Sequence, residues 1–415
     1  MSNVPLYKDS GRSISERVED LLGRMTVEEK VGQMLQVDGR RDPLTELRER
    51  HIGSVLHLMG EGLAALQKEA LKTRLGIPVL AGIDAIHGHA LYQGATVFPT
   101  QLAMSSSWNP ELLEEVGRVT AREVRVTGTH WTFSPVLCIA RDLRWGRVGE
   151  TFGEDPLLIG DLACAIIRGY QGESFDRDDT ILACAKHYAG YSQTIGGRDA
   201  SEAELSRRHL LSVFLPAFER AARAGCATFM TGYEAIDGTP CTANRWLLTE
   251  LVKEQWGFEG FVVTDWDNIG WMHRLQKVCA TMGEASELAV RAGNDMMMVT
   301  TAFYESAVSA LAAGRLEESL LDAACRRILR LKFALGLFDQ PPTFDAVKVR
   351  ATLRCGAHRE SSLRAARESI VLLKNDNAVL PIRPTVRRIA VLGPNADDMV
   401  AQLGDWSVLD ESDGS

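Results

Sequence analysis

Gly260-Phe-Val-Val-Thr-Asp265-Trp266 is a short apolar run that ends on a carboxylate beside an indole. Its β-branched and aromatic residues predict a strand. Similar runs recur upstream at 35–38, 52–58, 79–84, 131–137, 181–188 and 227–234, and downstream at 295–299. Between them lie stretches at 110–127, 157–171, 205–224 and 245–256 with apolar residues three and four apart, the spacing of amphipathic helices. Thr26-x-x-Glu29 reads as a capping box that opens an earlier helix. Eight strands separated by helices predict an α/β fold, a (β/α)8 barrel over residues 1–338.

A helical pattern at 318–335 ends at Gly336, and Asp339-Gln-Pro-Pro342 breaks it. Residues 339–350 read as a linker. Residues 351–415 read as the beginning of a second α/β domain, with a helix near 361–368 and apolar runs at 370–373 and 388–392. A strand at 388–392 would need neighbours on each side, so this part is expected to pack against further polypeptide of the same protein.

Composition narrows the function classes. The chain has 415 residues, 45% of them hydrophobic, and a formal net charge of -9. An acidic balance argues against nucleic acid as a partner. No run approaches the roughly 18 apolar residues of a membrane span, and 1–20 lacks the apolar core of a signal peptide. The eight cysteines are scattered without a C-x-x-C pair, which fits small core residues and a reducing, cytoplasmic location.

In a (β/α)8 barrel the working residues stand at the carboxyl ends of the strands. Asp84, Lys186, His187, Tyr233 and Asp265 fall there, and Arg147 lies in the loop after the fourth strand. Asp265 reads as a nucleophile or general base, with a helix N-cap as the plain alternative. Lys186 and His187 can donate to sugar hydroxyls, or be a Lys paired with a structural carboxylate beside a packed His. Asp84 can hold two vicinal hydroxyls or cap a helix. Arg147 can fork onto the same sugar or onto Glu150 or Glu154. His87 and His89 form an H-x-H pair that could be half of a metal site, but no second pair stands at a strand end, so local packing is the better reading. Gly393-Pro-Asn-Ala-Asp397 lacks the spacing of a nucleotide loop, and Met296-Met-Met298 reads as core.

At these residues the chain resembles glycoside hydrolase family 3. The matching stretches are Gly82-Ile-Asp-Ala-Ile-His-Gly88, Gly94-Ala-Thr-Val-Phe-Pro99, Arg141-Asp-Leu-Arg-Trp-Gly-Arg147, Phe152-Gly-Glu-Asp-Pro156, Lys186-His187, Trp256 through Trp266, and Gly393-Pro-Asn-Ala-Asp397. The resemblance implies a barrel followed by an α/β sandwich domain, Asp265 as nucleophile, and Asp84, Arg147, Lys186, His187 and Tyr233 on the non-reducing sugar. Met230 and Trp266 would shape the apolar walls. It implies a retaining, exo-acting β-glucosidase, with β-xylosidase of the same family and a metal-dependent hydrolase at His87/His89 as alternatives. No metal or organic cofactor is expected.

Two departures bear on this. In two-domain members the acid/base Glu comes from the second domain, so no residue of this chain is assigned that role. After Lys186-His187 the chain reads Tyr-Ala-Gly-Tyr-Ser-Gln, without the second His that serves the family's N-acetylglucosaminidases. The expected partners are a β-glucoside or oligosaccharide substrate and the remainder of the second domain; a homo-oligomer is also compatible.

Overall fold

The computed structural model describes residues 5–341 and 343–408. Eight parallel strands follow in chain order: β1 Leu35–Asp38, β2 Ser54–Leu56, β3 Leu80–Ile83, β4 Trp131–Thr132, β5 Cys184–Tyr188, β6 Thr228–Thr231, β7 Phe261–Val263 and β8 Met297–Met298. β1 to β4 pair in sequence, β5 to β7 pair in sequence, and β8 returns to β1. Single parallel bridges, Trp131 to Leu182 and Val263 to Met296, join the remaining neighbours. The ring is therefore a closed (β/α)8 barrel, which removes every sheet edge.

Large side chains plug the barrel. Trp131 meets Phe133 and Phe261 edge-on, with ring centroids 4.7 and 5.2 Å away. Its Nε1–H donates to Thr228 Oγ1 at 2.8 Å, so the buried indole keeps no orphaned donor. β3 passes this plug only because residue 82 is glycine: a Cβ there would come within 2.5 Å of the Phe133 ring. Met296, Met297 and Met298 are all buried, as core residues should be.

The helices Pro110–Val126, Pro156–Gln171 and Glu318–Ala334 match the apolar periodicity. Others correct it. The expected helix 205–224 is broken into Arg207–His209, a π turn at Leu210–Phe214 and Pro216–Arg223. Pro216 has no N–H to continue the ladder, and Leu215 N–H instead reaches back five residues to Leu210 O. The stretch Trp246–Gln255 winds as a π-helix, a register that apolar spacing alone does not reveal. The expected strand 131–137 keeps regular pairing only at its start, because Pro135 cannot donate; contact resumes as a single bridge from Val136 to Lys186.

A hairpin after β6 was not anticipated. Ala235–Ile236 pairs antiparallel with Thr239–Pro240 around Asp237-Gly238, both at positive φ. Asp-Gly is the dipeptide such a turn selects.

Beyond the barrel, Ala346–Thr352 and Gly356–Glu368 are helical. The second packs on Pro110–Val126: His358 Nδ1 meets the buried Glu123 carboxylate at 2.7 Å, and Arg364 Nη1 meets Glu115 at 2.8 Å. Residues 388–392, expected to form a strand, do not. Val391 is 72% and Leu392 89% exposed. No described segment lies beside them to accept their backbone bonds, and without a ladder a strand has nothing to hold it. All eight cysteines are free. No helix among the described residues is long and apolar enough to cross a membrane.

Candidate active site

At the carboxyl end of the barrel the strands surround a cavity of about 290 Å³. All eight residues singled out in the sequence line it: Asp84, Arg147, Lys186, His187, Met230, Tyr233, Asp265 and Trp266. Residues at or just beyond the ends of β2 to β8 line it, with Arg40 following β1, so the parallel barrel gathers residues as far apart in sequence as Arg40 and Met298 onto one face.

Asp84, just past β3, is not a cap. Its Oδ1 accepts from Lys186 Nζ at 2.7 Å, and His57 Nε2 stands 3.0 Å from its Oδ2. Burial alone would raise its carboxyl, but Lys186 and His57 hold it down, to about 2. It is a fixed carboxylate.

Arg147 forks onto Glu150, with Nε and Nη2 donating at 2.7 and 2.9 Å to the two carboxylate oxygens. The same Nη2 lies 3.2 Å from His187 Nε2. A guanidinium only donates, so Nε2 must accept and the His187 proton sits on Nδ1, facing Cys138 Sγ at 3.6 Å. Burial, then Arg147 and Lys186, push His187 well below its usual range, which agrees with a neutral ring.

Asp265 follows β7. Its Oδ1 accepts the Trp266 N–H at 2.7 Å. Its Oδ2 is buried and lies in no hydrogen bond of ordinary geometry. His187 Nε2 is 3.5 Å from this oxygen but presents a lone pair, not a proton. Burial pushes the Asp265 carboxyl up from the ordinary range, while Arg147, Lys186 and the nearby Tyr233 hydroxyl help hold it down. The helix that follows starts at Asn268, so Asp265 is not its N-cap. One carboxylate is thus fully bonded and the other presents a bare oxygen in a cationic pocket.

The sequence model of the Glycosyl hydrolase family 3 N terminal domain matches residues 26–331. The chain belongs to glycosyl hydrolase family 3. The family's C-terminal domain model matches 370–412. A β-xylosidase of Formosa agariphila is 33% identical over 428 aligned positions, covering 98% of this chain and 54% of that protein. A periplasmic β-glucosidase of Salmonella typhimurium is 32% identical, covering 94% and 52%. Among solved structures, a β-glucosidase of saponin metabolism from intestinal bacteria is 52% identical with a TM-score of 0.90, covering 96% of this chain and 52% of that one. A Listeria innocua β-glucosidase in complex with isofagomine is 34% identical with a TM-score of 0.83, covering 88% and 53%. This chain spans about half the length of these relatives.

Four polar or aromatic lining residues carry no mark in the sequence: Arg40, His57, Phe133 and Trp406. Arg40 pairs with Asp38 at 2.9 Å and lies 5.7 Å from the centre of the Trp266 ring. His57 stands just past β2, where the strand-end rule that found Asp84 applies equally. His87 and His89 do not form a pair. His87 faces the carbonyls of Phe98 and Asp405, while His89 faces Thr127 Oγ1 and stacks on Tyr92. A second cleft, of about 480 Å³, lies between residues 90–97 and the helix Gly356–Glu368, and no carboxylate lines it.

Proposed function

We propose that this family 3 chain carries the nucleophile and the sugar-binding half of a retaining, exo-acting β-glucosidase. The observation that carries the reading is the bare, buried Oδ2 of Asp265 in a cavity of single-sugar scale. An uncoordinated carboxylate oxygen keeps its nucleophilicity for the anomeric carbon. The glycosyl–Asp265 ester is then hydrolysed, and two inversions give net retention. Asp84, fixed as a carboxylate, accepts from vicinal hydroxyls. Lys186 donates, and Trp266 offers an apolar face.

A retaining enzyme also needs an acid to protonate the leaving oxygen. Among the described residues, Asp84 and Asp265 are the two carboxyl groups lining the cavity. Asp84 is held far too acidic to deliver a proton at neutral pH. Glu234, which burial pushes up to about 8, accepts from the Cys241 thiol and does not line the cavity. We assign the acid to the second domain, as the resemblance to two-domain members of the family implies.

The β-xylosidase reading stands beside this one because relatives of similar identity bear that name. Initial rates on an aryl β-D-glucoside and an aryl β-D-xyloside separate the two. Proton NMR of the first-formed product tests the mechanism: the β anomer is expected, and the α anomer would rule out double displacement.

A further inference from the structure

His87, the strongest metal candidate in the sequence, is buried and has no part in the chemistry above. Its Nδ1 lies 2.9 Å from Phe98 O, within the barrel's own loops, and its Nε2 lies 2.5 Å from Asp405 O. Both partners are carbonyls, which only accept, so whichever ring nitrogen carries the proton donates to the carbonyl facing it. Three residues past Asp405, Val408 N–H donates to Ala90 O at 2.9 Å. Between these ties stands Trp406, at φ 54°, a left-handed conformation that a residue with a bulky side chain adopts only when its surroundings impose it. Its indole lines the cavity, and Lys186 Nζ stands 5.6 Å from the ring centroid. Lys186 is the same amine that holds Asp84.

We propose that His87 is a positioning residue for the sugar site: it latches residues 404–408 onto the barrel and so holds Trp406 as a wall beside the Lys186–Asp84 pair. The inference rests on the reading of this cavity as a monosaccharide site. An indole beside a bound ring contacts it in the ground state and the transition state alike. Losing the latch therefore weakens binding without altering the reacting centre.

Three variants in the full-length protein separate the two contacts of the ring. His87→Gln keeps a donor near the Nε2 position and preserves the latch. His87→Asn keeps a donor near Nδ1, bonds Phe98, and loses Asp405. His87→Ala loses both. On an aryl β-glucoside, His87→Asn and His87→Ala are expected to raise KM about tenfold with kcat within about twofold, and His87→Gln to stay near the parent. In a Trp406→Ala background His87→Asn adds no further rise, because the residue acts through Trp406. His89→Ala serves as the packing control: a lower Tm with KM unchanged.

A readout that needs no sugar accompanies these. In protein labelled with 5-fluorotryptophan, the Trp406 resonance, assigned by its loss in Trp406→Phe, shifts or broadens in His87→Asn and not in His87→Gln. An unmoved resonance, or a parental KM in His87→Asn, overturns the latch. If the parent protein neither binds nor cleaves aryl β-glucosides or β-xylosides, the sugar reading fails, while the fluorine spectrum still decides the latch.

Discussion

The two ends of the barrel each bury a lysine and treat it differently. At the carboxyl end, Lys186 Nζ meets the Asp84 carboxylate at 2.7 Å. At the amino end, Lys332 Nζ meets only neutral oxygens, Gln33 Oε1 at 2.6 Å and Pro78 O at 2.8 Å. Burial pulls Lys332 down to about 7. A buried charge survives where a second charge answers it and is shed where none does. Lys253 at the amino end also keeps a carboxylate, Asp295 at 2.7 Å, so it is the missing partner and not the end of the barrel that sets Lys332 apart.

The comparison breaks most severely at Asp265. Asp265→Gly should lower kcat at least about 10³-fold, since the nucleophile is lost. It should also leave the protein folded with Tm unchanged or a few degrees higher, because a buried carboxylate with a bare oxygen has been removed. A collapsed Tm would make Asp265 a structural residue.

Lys186→Ala is next. It leaves Asp84 buried and short of its cation, which costs about 3–5 kcal/mol. Denaturant unfolding measures it, and a surface-like loss would show the ion pair to be incidental. Asp84→Ala removes the hydroxyl acceptor and should cut kcat/KM on the order of 10²-fold, kcat falling as well as affinity, since bonds to the ring hydroxyls tighten as the ring distorts. Near-native kinetics would reduce Asp84 to a partner for Lys186.

The smallest effect is at the other end. Burial brings Lys332 down to about 7 in the folded chain, against an ordinary value of 10.5 for an exposed amine in the unfolded one. Between those values the unfolded chain binds the proton and the folded one does not, so this group makes stability rise with pH from about 7 to about 10.5. Lys332→Met should remove that rise, seen in Tm measured across the window, with kcat and KM unchanged. Equal slopes in parent and variant would mean that Lys332 keeps its proton.

How much of this was legible depended on whether the signal was local. The run 260–266 and the Lys186-His187 pair carry strand and polarity together, so a strand-end rule placed Asp84, Lys186, His187 and Asp265 in one cavity. His57 obeys the same rule but has no motif around it, and its partner Asp84 is visible only once β2 lies beside β3. Trp406 reaches the site from beyond the barrel, and no pattern around 404–408 indicates that it would. The π windings at 210–214 and 246–255 share the apolar spacing of an α-helix nearly enough to hide in it. The apolar run 388–392 misled in the other direction, because a strand is a property of a pair and a sequence shows one member.

The central claim is that Asp265 Oδ2 attacks the anomeric carbon. An activated 2-deoxy-2-fluoro-β-D-glucoside slows both steps and traps the ester once formed. Peptide mapping by mass spectrometry should place a single fluoroglucosyl group on the peptide containing Asp265, with activity lost in step with labelling. A label on Asp84, Glu234 or any other carboxylate would contradict the account.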